Sequence, residues 1–134
     1  MEYNITVSEN GKYIILKVIG DLDRSSSMRE LIEAHELGAK LSIDRFMADL
    51  TEARNIRSIL EDYQLANADT HNEPRINVAA LVAMLVASDD HSHDFLETAG
   101  LNSGWRVKLF RDRQEAIDYL MKDRRSPFIS SRTM

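Results

Sequence analysis

Tyr3, Ile5 and Val7 alternate with Asn4 and Thr6 near the start of the chain, the period-2 pattern of a strand with one wet face. An edge strand is the expectation. Asn10 and Gly11 supply two residues that tolerate positive φ in a tight turn, and Tyr13 to Ile19 follows as a β-branched, nearly continuous apolar strand. These two strands are predicted to pair antiparallel. After Gly20 and Asp21, Ser25 or Ser26 is placed to cap a helix in which Met28, Leu31, Ile32 and His35 share one face, running to about Lys40. Ile43 to Leu50 reads as the third strand. Ile56, Ile59, Leu60 and Tyr63 draw an apolar stripe on a second helix, taken as its buried face, and the polar stretch Asn67 to Glu73, closed by Pro74, reads as a loop.

The run from Ile76 to Val86 is apolar on both alternating faces, as a central strand covered on both sides would be, with a buried helix as the rival reading. The strand is preferred because Pro74 precedes it and Ser88-Asp89-Asp90 offers a helix cap after it. A third helix is expected from Ser92 to about Leu101, ended by Gly104. Trp105, Val107 and Leu109 then alternate with Arg106 and Lys108 as another edge strand. Asp112 with Glu115 is the signature of a capping box, and Ala116, Ile117, Leu120 and Met121 give the closing helix its apolar face. The order β-β-α-β-α-β-α-β-α predicts a single α/β domain over 1–122. Its mixed five-stranded sheet has the first strand antiparallel, the rest mainly parallel, and about four helices. The basic stretch 123–134 is expected to be a loosely ordered tail, whose Phe128-Ile129 could touch an anionic membrane or a partner.

Composition narrows the function classes. The chain has 134 residues, 43% hydrophobic and 29% charged, with a formal net charge of −5, so attraction to a phosphate backbone has no overall support. Nucleic acid is not the expected partner. Cysteine is absent, which excludes disulfides, thiolate catalysis and Cys-ligated metal in this sequence. The start Met1-Glu2-Tyr3-Asn4 lacks a basic, apolar leader, and the longest apolar run, Val78 to Ala87, falls short of the roughly 20 residues a spanning helix needs. A cytoplasmic protein without a transmembrane segment is the expectation.

The segment Asp90-His91-Ser92-His93-Asp94-Phe95-Leu96-Glu97-Thr98, followed by Asn102 through Ile117, resembles the carboxy-terminal half of the SpoIIAA-like branch of the STAS family. There a strand ending in Phe leads into a D-x-x-E-A helix, here Phe110 and Asp112 to Ala116. The resemblance implies a mixed sheet with helices mainly on one face and a role as a binding or switching domain. In the family's anti-sigma-factor antagonists, a Ser or Thr in a D-[ST]-[ST]-G motif opens the helix after the third strand and is phosphorylated by a partner kinase. Ser58 stands at the matching distance, but Arg57 replaces the acidic residue and Leu60 the glycine, so Ser58 is expected to be an ordinary exposed helix residue.

Asp89, Asp90, His91, His93 and Asp94 form the densest set of potential metal ligands, yet they fall where a helix should begin, and acidic residues there serve as caps. No metal or cofactor is implied. His35 is expected to pack in the core and His71 to be a solvated loop residue, while Met28, Met47, Met84 and Met121 lie in apolar patterns. No phosphate-binding glycine loop, nucleophile elbow or metalloprotease motif occurs.

Ligands of open α/β sheets bind beyond the carboxyl ends of the parallel strands. On this assignment that rim gathers Asp21, Asp23 and Arg24 after the second strand and Asp49, Thr51 and Arg54 after the third. Ser88, Asp89, Asp90 and His91 follow the fourth strand, and Arg111 with Asp112 the fifth. The leading expectation is a non-enzymatic regulatory module with a protein partner, a homodimer being left open. A carrier of a small apolar or lipid-like ligand and a metal-assisted enzyme using 89–94 are the alternatives.

Overall fold

A computed structural model describes residues 2–122; the tail expected at 123–134 lies outside the described residues. Five strands form one sheet: β1 (Glu2–Val7), β2 (Ile14–Leu22), β3 (Arg45–Asn55), β4 (Leu81–Val86) and β5 (Arg106–Phe110). They lie side by side in chain order, β1 antiparallel to β2 and the other pairs parallel, as the sequence pattern predicts. The helices are α1 (Arg24–Leu41), α2 (Ile59–Gln64), α3 (Asp94–Asn102) and α4 (Arg113–Met121).

Crossovers between neighbouring parallel strands that all proceed in one direction put their helices on one face. One core therefore joins Leu16, Val18, Leu50 and Met84 of the sheet to Ala34 of α1 and Leu96 of α3. The other face is covered by α4, whose Ala116 and Leu120 pack on Tyr13, Met47, Leu81, Leu85 and Phe110. β4 supplies both cores, Val86 and Met84 to one and Leu81, Ala83 and Leu85 to the other, which is why its sequence shows no polar face.

Several boundaries differ from the sequence reading. Regular β4 pairing begins only at Leu81, because Asn77 turns the chain: its side-chain oxygen accepts from the Ala79 N–H and its carbonyl from Ala80. Asp23, not Ser25 or Ser26, caps α1, accepting from the Ser26 N–H at 2.8 Å. The first part of the region expected as a loop, 67–71, is helical, since α2 runs on as a π-helical turn, Leu65–Asp69, that carries Leu65 and Ala66 into the core, while 72–74 are not helical. His71 is thus the last residue of a helical run, exposed, with Nδ1 2.8 Å from the Asn67 carbonyl. Helix α3 begins at Asp94, beyond Ser88-Asp89-Asp90, and its first position is preceded by His93 without a side-chain cap. Asp112 caps α4 through the Glu115 N–H.

The third strand continues past Leu50 to Asn55 with a register change against β2. Lys17 faces Asp49, but Ile19 faces Glu52, so Leu50 and Thr51 together oppose Val18. This is a β-bulge with its extra residue in β3. Before it Phe46 and Leu50 face the α1 side of the sheet; after it Ala53 does.

Candidate functional site

The extended β2 and β3 redistribute the predicted rim. Asp21 and Arg54 are exposed register partners inside the strands, not loop residues. Asp49 and Thr51 also lie inside β3, on the α4 side. Asp49 is buried, accepts from the Thr51 hydroxyl at 2.7 Å and from Arg113 at 3.0 Å, and so ties β3 to the start of α4. Burial pushes its carboxyl up, and the bonds from Thr51 and Arg113 outweigh this and leave it below the ordinary carboxylate range.

Arg24 closes the other side of the sheet, reaching Asp69 through two nitrogens at 2.7 and 2.8 Å and Gln64 at 2.7 Å. It fastens α1 to the π-helical turn. Asp89 is exposed at the tip of the β4–α3 loop. His91 meets Asp94 at 2.9 Å, and Arg111 touches the Asp90 carbonyl, His91 and Asp94. His91, foremost, and Arg111 hold the Asp94 carboxyl below its ordinary range. His93 is fully buried, with Nε2 3.0 Å from the Ala53 carbonyl and 3.3 Å from Asp90 Oδ2, while exposed His91 pairs with Asp94. The two rings of the H-x-H segment therefore do not converge, and no group of three or more metal-ligating side chains occurs among the described residues.

The densest polar constellation at this end of the sheet went unforeseen. Arg57 and Asp62 form an ion pair at 2.7 Å with side chains only 2% and 4% exposed. Asn55 donates to both Asp62 oxygens at 3.1 Å and to the Ser92 carbonyl at 2.9 Å, while its own oxygen accepts from the Arg57 N–H. Arg57 also donates to Ser27 of α1 at 2.6 Å. These bonds join β3, α1, α2 and the segment leading into α3. Glu30, one turn beyond Ser27, is 1% exposed, and burial raises its carboxyl to about 7. The sequence signal for this set was weak, because Arg57 and Asp62 read as ordinary charges flanking an apolar stripe.

That stripe is where the expectation fails most clearly. Ile56, which precedes α2, and Ile59, Leu60 and Tyr63 on it are 54%, 68%, 63% and 50% exposed, while Asp62 of the same short helix is buried. The helix presents its apolar side outward because its inward side is committed to the polar constellation. Ser58 is not within the helix but caps it, its hydroxyl accepting from the Glu61 N–H at 3.1 Å and the Glu61 carboxylate accepting from the Ser58 N–H at 3.0 Å. Ser58→Ala is expected to lower the unfolding free energy by about 1 kcal/mol, as loss of such a cap does. An unchanged urea midpoint would refute that role.

No family model and no curated protein matches the chain. Solved structures do. The unphosphorylated form of the anti-sigma factor antagonist SpoIIAA superposes with a TM-score of 0.55 at 10% identity, covering 91% of this chain and all of that one. An anti-sigma factor antagonist from Mycobacterium paratuberculosis gives 0.56 at 12% identity, covering 90% of this chain and 96% of that one. An uncharacterised protein of the DUF3478 family from Shewanella loihica PV-4, with a SpoIIAA-like fold, gives 0.51 at 19%, covering 89% and 92%. Likeness at such identities speaks to architecture, and it agrees with the strand order and helix placement described above: the chain has the SpoIIAA-like α/β fold.

Proposed function

We propose that the protein is a non-enzymatic regulatory module that binds another protein through the outward face of α2. The observation that carries this reading is the exposed stripe Ile56, Ile59, Leu60 and Tyr63, each at least half exposed. Single exposed apolar residues are ordinary, but four large ones within eight positions make a contiguous patch of the kind that marks interaction sites. Phe95 is a further exposed apolar residue, on α3, the helix that packs on α2. The buried Arg57–Asp62 pair beneath holds the helix in place, so the patch is a fixed surface. The two similar structures named as anti-sigma factor antagonists support a partner-binding role over a catalytic one.

The test places a photo-crosslinking amino acid at position 60 or, as a control, at Lys40, which is exposed at the far end of α1. In cells of the source, position 60 is expected to yield one discrete adduct that position 40 does not, and Ile59→Asp is expected to remove it. Because residue 59 is exposed, that substitution should change stability by no more than about 0.5 kcal/mol. An adduct of twice the chain's mass, or the same pattern from both positions, would overturn the reading. Among the described residues no helix is long and apolar enough to cross a membrane.

A further inference from the structure

The space between the sheet and α1 is incompletely filled. One cavity of about 80 Å³ is bounded by Leu16, Val18, Leu50 and Met84, with Glu30 and Arg57 in its wall. A second, of about 50 Å³, lies toward His35, Thr70 and Ile76. Leu31, Val82 and Trp105 line both, so the two adjoin. The π-helical turn helps to shape this space, since Leu65 at its start lines the first cavity and Thr70 just after it lines the second. Such turns are frequent where helices form functional sites. Trp105 is tied to that segment, its ring N–H donating to the Thr70 hydroxyl at 3.3 Å.

The wall is apolar except at one end, and there two polar atoms lack partners. Glu30 is 1% exposed and its Oε2 makes no hydrogen bond. The Arg57 side chain is 2% exposed, and its Nη2 makes none although Nε and Nη1 are engaged. Buried polar groups are almost always satisfied, and exceptions call for an occupant or a function. The two belong to one end of the cavity, because Ser27, which accepts from Arg57 Nη1, lies one helical turn from Glu30.

We propose that this space binds a short, unbranched aliphatic alcohol, with its hydroxyl between Glu30 and Arg57 and its chain running past Leu31 and Trp105. The head chemistry follows from the two orphaned atoms. Arg57 Nη2 offers only donors and needs an acceptor, whereas Glu30 Oε2 accepts from a donor; a hydroxyl is both. A carboxylate would be buried there without a positive partner of its own, since Arg57 is already neutralised by Asp62. An ammonium head would give Arg57 no acceptor. The tail length follows from volume. A dry cavity of about 150 Å³ holds benzene, so the adjoining spaces suit a chain of roughly four to six carbons.

The test uses 1-hexanol, hexanoate and hexylamine, with emission from Trp105, the one tryptophan of the chain, as the readout. A saturable spectral change and a raised Tm are expected with 1-hexanol, and at least tenfold weaker responses with the other two. Glu30→Leu should weaken 1-hexanol binding at least tenfold, while Glu30→Gln, which keeps an acceptor and a donor at the site, should stay within a few-fold of the unsubstituted protein. A response that rises linearly to the solubility limit would mean that only water fills the space. Equal affinity in Glu30→Leu, or hexanoate or hexylamine binding as tightly as 1-hexanol, would equally overturn the proposal.

Discussion

Asp62→Leu is expected to lower the unfolding free energy by about 3–5 kcal/mol, the cost of breaking a buried ion pair from one side. The substitution strands the Arg57 guanidinium, whose side chain is 2% exposed, and deprives the Asn55 amide of both of its Asp62 acceptors. Against a typical total of about 5–15 kcal/mol, such a loss leaves a domain close to its unfolding threshold. Combining Asp62→Leu with Arg57→Met should recover most of the loss, because the stranded charge is then gone. Urea unfolding of the two single variants and the double variant gives the coupling directly. A single variant within about 1 kcal/mol of the parent would show that the pair lies in water.

Glu30 and His35 should give stability opposite dependences on pH. The Glu30 carboxyl is raised by burial from 4.5 to about 7, so the folded chain holds a proton there that the unfolded chain releases. Its contribution is therefore complete below about pH 4.5 and is lost as the pH rises to about 7, amounting to roughly 3 kcal/mol. His35 runs the other way. Buried against Phe46, with Nδ1 accepting from the Asn77 N–H at 3.0 Å, its imidazole is lowered by burial from 6.5 to about 4. The unfolded chain takes up that proton first, so this contribution is complete above about pH 6.5 and is lost as the pH falls toward 4, again by roughly 3 kcal/mol. Between pH 4.5 and 6.5 the two slopes largely cancel. Glu30→Gln should expose the His35 slope in that window and should gain about 2–3 kcal/mol over the parent at pH 8. Superimposable stability profiles of the two proteins from pH 4.5 to 8 would sink this account.

Much of the architecture was legible because periodicity reports burial directly. Leu81 to Val86 is apolar at every position because each of its faces meets a core, and Pro74 before it with Ser88-Asp89-Asp90 after it favoured the strand over the helical reading. The closing helix was equally readable from Asp112 and its apolar face. Position on α2 was not. Ile56, Ile59, Leu60 and Tyr63 have helical spacing whichever way they point, and only the tertiary bonds of Arg57 and Asp62 turn them outward. The π-helical turn was missed for a related reason, since the polar residues Asn67 and Asp69 look like loop residues when the core contacts come from Leu65 and Ala66. Of the candidate rim, Asp23 and Arg24 at the start of α1 and Asp90, His91 and Arg111 in the last loops do occupy strand ends. Asp49, Thr51 and Arg54 do not, because β3 is longer than its apolar part.

The bulge in β3 acts as a change of reading frame. Even-numbered positions up to Leu50 supply the α1 side of the sheet, whereas after the extra residue Ala53 and Asn55 are the buried ones and Glu52 and Arg54 are exposed. In an unbroken strand the same sequence would turn two charged side chains inward and put Asn55 in water. The polar constellation on which α2 rests is thus encoded less by its own residues than by one inserted position upstream. A lineage could acquire or discard that inward set by gaining or losing a single codon.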